Sequence, residues 1–68
     1  MNNNQFNMGD KVVWNFVFEV PQENGVVVGV NNDKVEVEYE GYIMGGGHKV
    51  YREWLNVEEV DFLSNWVF

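Results

Sequence analysis

The sequence has no cysteine, no alanine and no threonine, and holds one proline, one histidine and one serine. Without cysteine there is no disulfide staple and no thiolate metal site, which suits a reducing compartment. Without alanine the best helix former is missing. A Ser-His-acid triad would have to bring His48 to Ser64, and nothing in the local sequence supports that. His48 directly follows Gly45-Gly46-Gly47, the setting of a solvated loop histidine, so no enzyme is expected. Basic residues are scarce as well. Only Lys11, Lys34, Lys49 and Arg52 oppose eleven acidic side chains, and the net charge is −7. That balance repels nucleic acid and anionic lipid and attracts basic partners. No apolar run approaches the roughly 20 residues of a membrane span, and no basic n-region opens the chain. A soluble, cytoplasmic protein without cofactors is expected, with its oligomeric state open and a weak dimer allowed.

What the chain does have is valine and aromatic rings. Valine occurs fourteen times, beside three Trp, three Tyr and five Phe in 68 residues. Both classes suit a pleated, half-buried surface. Each buried ring removes roughly 150–250 Å² from water, a large gain for a chain that buries only about 60% of its extended surface. The class is therefore mostly β. The Asn-rich residues 1–8 read as a flexible N-terminal arm into which Phe6 can tuck, and residues 9–68 as one domain.

Alternation defines the strands. From Val12 to Val20 every even position is apolar, a period of two that predicts a long strand. "PQENG", residues 21–25, carries Pro and Asn-Gly and predicts a hairpin loop. That loop would set Phe16 opposite Val30, Phe18 opposite Val28 and Val20 opposite Val26. A two-residue turn at Asn32-Asp33 would then set Val30 opposite Val35, Val28 opposite Val37 and Val26 opposite Tyr39. Tyr42–Met44 and His48–Tyr51 flank the triple glycine as a third hairpin. For the last segment two readings stand. Asn56 with Glu59 resembles a capping box for a short helix, and the same residues fit a 3₁₀ turn before a closing strand.

The same alternation sets Val35, Val37 and Tyr39 inward and Glu36, Glu38 and Glu40 outward. Successive carboxylates lie about 6.6–6.8 Å apart along such a strand, too far for all three to share one cation. No metal site is predicted. In the expected register Glu19, Val13, Val17 and Val27 join this outward face. The exposed valines then call for a cover, supplied by Val57, Val60, Leu63 and Trp66, or for a partner. Like charges along one strand are mildly destabilising, so the row is a candidate recognition surface as well as a solvated face. Trp14, Tyr39, Tyr42 and Tyr51 lie near predicted strand ends. They could cage a cation, although the parity of Trp14 and Tyr39 places both in the core.

The "GDKV" opening and the "NGVVVGVNNDKVEVE" hairpin resemble an SH3-like barrel, closest in flavour to the KOW/Tudor group. Gly9, Asp10, Val12, Gly25, Val27, Val30, Val35, Val37 and Glu38 carry that likeness across residues 9–40. The resemblance implies a five-stranded antiparallel barrel or meander, and relatives that bind RNA, ribosomes, polymerase or modified histone tails. The loops here lack the Lys and Arg that phosphate contacts require. The expected function is a non-catalytic acidic module that binds a basic protein surface through Glu36, Glu38, Glu40, Glu19, Val17 and Val27. A small phage-type inhibitor mimicking DNA is the sharper form. The alternative is a KOW/Tudor-like accessory of transcription or translation, or a reader of a basic or methylated peptide.

Overall fold

The computed structural model describes residues 4–66. Five strands form one antiparallel sheet: β1 (Lys11–Val17), β2 (Val20–Asn31), β3 (Lys34–Tyr42), β4 (His48–Asn56) and β5 (Val60–Phe62), in the order β4-β3-β2-β1-β5. Two 3₁₀ turns, Val57–Glu59 and Leu63–Asn65, flank β5. The architecture is compatible with an SH3-like barrel, but β4 does not pair with β5 and the sheet stays open. Among the described residues no helix is long and apolar enough to cross a membrane.

The core follows the inward parity of β3. Phe6, Val12, Trp14, Val27, Val35, Val37, Leu55 and Val60 are buried together, with Val30, Tyr39, Val57 and Phe62 packed against them. Each buried valine contributes roughly 1.5–3 kcal/mol relative to exposure, so this small set carries most of the hydrophobic stabilisation. Phe6 anchors the N-terminal segment, its ring 4.6 Å from that of Phe62. Asn4 Nδ2 donates to the Lys34 carbonyl, and the Asn7 amide donates to Asp10 Oδ2. Residues 4–7 of the expected arm thus make contacts with the rest of the domain, and residues 1–3 lie outside the described residues.

The first hairpin departs from expectation. The strand predicted to run to Val20 ends at Val17, and the chain turns at Phe18-Glu19, both in the left-handed region (φ 50° and 64°). Two consecutive positive φ values define the turn whose twist matches a hairpin. Val17 therefore faces Val20, Phe16 faces Pro21 and Trp14 faces Glu23, and the expected pairs 16/30, 18/28 and 20/26 do not form. "PQENG" is strand. Pro21 is tolerated because this part of β2 has only β1 as a neighbour. Gly25 serves close approach, since a Cβ there would lie 2.4 Å from the Glu38 carbonyl oxygen and 2.9 Å from Trp14 Cη2.

The second hairpin turns at Asn32-Asp33 as expected, and Val30 faces Val35. A bulge at Val28 then shifts the pairing, so Val27 faces Val37 and Val26 faces Glu38, in place of 28/37 and 26/39. One extra residue reverses the parity of everything before it. Val27, expected outside, is consequently 1% exposed. The third hairpin forms around the glycine tip as expected, but β3 ends at Tyr42, which faces His48, so Ile43 and Met44 belong to the turn and not to the strand. At the C-terminus the 3₁₀ turn and closing strand replace the short helix. Asn56 Nδ2 donates to Glu59 Oε1, but no side chain caps the turn.

Candidate protein-interaction face

The outward side of β3 and β4 is built by their unbroken register. Glu36 stands opposite Trp54, Glu38 opposite Arg52, Glu40 opposite Val50 and Tyr42 opposite His48. Val26 and Gly29 extend the face onto β2 beside Glu38 and Glu36. Trp54 lies across Gly29, where a Cβ would come within 3.2 Å of its Cη2. The three carboxylates therefore sit among half-exposed apolar groups: Trp54 at 48%, Val50 at 54% and Val26 at 37%.

The row is partly paired within the chain. Arg52 Nε donates to Glu38 Oε2 at 2.9 Å. His48 Nδ1 lies 3.6 Å from Glu40 Oε2. Glu36 has no ion pair among the described residues. Exposed pairs of this kind contribute about 0–1 kcal/mol, so an incoming cation can share or displace them at little cost. Where the two halves of the sheet separate beyond Val26 and Glu38, a groove of about 370 Å³ opens. Glu23, Gly25, Glu38, Glu40 and Val50 line it.

Not all nominated residues reach this face. Glu19 sits at the tip of the first hairpin, away from the row. Val17 is exposed on β1 at that same tip. Val27 is core and cannot contact a partner. Val13, also expected outside, is buried. The cover comes from the C-terminal segment, where the Trp66 ring lies 5.2 Å from that of Phe16. Asp61 secures that segment by accepting hydrogen bonds from Asn65 Nδ2, Trp66 Nε1 and the Phe62 amide. The bond from Asn65 is the largest influence holding the Asp61 carboxyl below its ordinary value of 3.8. The C-terminal segment thus reaches β1 at Phe16, leaves Val17 exposed, and does not cover the carboxylate row.

The four aromatics divide between two faces. Trp14, Tyr39 and Tyr51 form a contact series on the inner side, with ring centroids 5.3 and 5.6 Å apart. Tyr42 packs instead against His48 on the outer side, at 4.7 Å. Trp14 is 5% exposed and belongs to the core. The edge-on and stacked contacts satisfy these rings against one another. Tyr39 donates its hydroxyl to Glu53 Oε2 at 3.1 Å. Burial and then that bond raise its pKa above the ordinary 10.0, with Glu23 adding repulsion. A second groove here, about 360 Å³, is lined by Trp14, Glu23, Tyr39, Glu53 and Glu59.

Sequence reasoning missed Trp54, Val50 and Arg52 on the outer face and Glu53 on the inner one. The signal was the glycine tip. Pairing Tyr42 with His48 and counting back along both strands places all four. No protein-family model matches the chain, and no curated protein or solved structure matches it either.

Proposed function

We propose that the chain is a non-catalytic acidic module that binds a basic protein surface through the outward side of β3 and β4. The observation that supports this reading is an uncovered row of three carboxylates flanked by the half-exposed Trp54, Val50 and Val26. Charge complementarity speeds encounter, and the central apolar groups supply contact area. Lysines and arginines of the partner reach Glu36 directly and share Glu38 and Glu40 with Arg52 and His48. Trp54 packs against the aliphatic stems of those side chains.

The test replaces Glu36, Glu38 and Glu40 with Gln, which keeps their size. Parent and variant serve as baits in a lysate at about 50 mM and about 150 mM salt, where screening differs. The parent should retain basic proteins that the variant loses, and the difference should shrink at the higher salt. Identical capture by both baits defeats the proposal and leaves the row a solvated face. A Trp54→Ala variant separates charge from contact, since it should shorten the lifetime of the complex while leaving its salt dependence intact.

A further inference from the structure

β4 ends the sheet. One of its edges pairs with β3 in an unbroken run from Asn56 to His48. Among the described residues nothing pairs with the other edge. The opposite edge of the sheet is β5, which has only three residues and is flanked by 3₁₀ turns. A free edge of nine residues presents a row of unsatisfied N–H and C=O groups, a template for another strand. Proteins usually blunt such edges with proline, a bulge or short length. β4 has no proline and no bulge. Its sequence, "HKVYREWLN", instead carries charges of both signs.

Those charges select a pairing. A second copy lying antiparallel about a twofold axis normal to the sheet must centre on one residue facing itself. Centring on Arg52 sets arginine against arginine, and centring on Glu53 sets glutamate against glutamate. Centring on Val50 shortens the overlap and sets His48 against Arg52. Centring on Trp54 likewise shortens the overlap and leaves Lys49 without a partner, whereas centring on Tyr51 keeps a longer overlap and avoids every like-charge opposition. Lys49 then faces Glu53 of the second copy on both sides of the axis, and the two Tyr51 rings meet between them. On the outer side Val50 faces Arg52 of the second copy and His48 faces Trp54, giving the half-exposed valine and tryptophan new neighbours. Lys49 Nζ already lies 5.3 Å from the centre of the Tyr51 ring, beside this axis.

We propose that β4 pairs with β4 of a second copy, antiparallel and centred on Tyr51, so that two sheets join into one. Opposite charges across a strand pair attract and like charges repel, so the Lys49–Glu53 contacts fix the register. Two copies of net charge −7 repel at long range, and one strand edge buries less than the roughly 1,200 Å² of a standard interface. The dimer is therefore weak, with dissociation constants of about 10 μM to 1 mM. Dimerisation brings two carboxylate rows into one assembly, which raises avidity for a partner with repeated basic sites.

Sedimentation equilibrium on the full chain tests this, from about 10 μM to about 1 mM. The parent mass should rise from 8.0 kDa toward twice that value with concentration. Lys49→Glu sets Glu against Glu53 of the second copy, and Glu53→Lys sets Lys against Lys49. Each should weaken association at least about tenfold. The double variant K49E/E53K restores opposite charges and the parent's net charge, and should restore the dimer. Circular dichroism checks that each variant keeps its sheet; both side chains are exposed. A parent that stays monomeric throughout overturns the proposal and leaves the edge to a different extended segment. So does E53K associating more tightly than the parent, because net charge and not register would then govern association.

Discussion

Gly25 cannot accept a side chain, because the Glu38 carbonyl and the Trp14 ring occupy the space a Cβ would need. Gly25→Ala should destabilise the fold by about 1–3 kcal/mol, read as a lower urea midpoint with an unchanged slope. Asp61 is the second residue on which local order turns. Asp61→Ala leaves the Trp66 indole N–H and the Asn65 amide without their acceptor. The site is partly exposed, so the cost should be about 1–2 kcal/mol, with a change in tryptophan fluorescence. Because folding lowers the Asp61 pKa below 3.8, its contribution is present above that value and fades as pH falls through the folded-state pKa. The stability gap between parent and D61A should therefore close in strong acid. At this scale the sequence was legible where parity ruled, as for Val35, Val37 and the three outward glutamates. It was silent on Gly25, which reads as a turn glycine until the crossing of β2 with β3 and Trp14 is known.

The hairpins show what separates readable from unreadable elements. Asn32-Asp33 and the glycine tip use residues that tolerate positive φ, so their turns announce themselves. The first turn uses Phe18 and Glu19, which do not. The neighbouring Pro21 and Asn24-Gly25 carry the stronger turn signal yet lie inside β2, so the expected loop fell several residues too late. The bulge at Val28 sits within "GVVVGV" and leaves no mark among identical valines, and it alone sends Val27 inward. Holding two bulky residues in the left-handed region costs about 1 kcal/mol or more each. Phe18 is 96% exposed, so replacing it removes no core contact. Phe18→Asn with Glu19→Gly should therefore stabilise the domain by about 1–2 kcal/mol. Thermal unfolding checks this as a rise in Tm of roughly 4–8 °C per kcal/mol for a domain of this size. No rise would show that the native turn is not strained.

For the whole molecule, charge and topology have separate consequences. At −7, with four basic residues, the chain should show no DNA or RNA binding in a gel shift at about 150 mM salt. Micromolar binding there would contradict the acidic-module reading as a whole. Topology acts on time. Every strand pairing joins neighbours in sequence except that of β1 with β5, which brings Val12 to Phe62 and Trp14 to Val60. The meander can form by successive local closures, whereas β5 must close a loop spanning most of the chain. Docking of the C-terminal strand is therefore expected late in folding. Weakening it with D61A should hasten unfolding while leaving the refolding rate nearly unchanged. A strand of three residues thus covers the β1 edge of the core, and a variant that loosens it should shorten the lifetime of the native state.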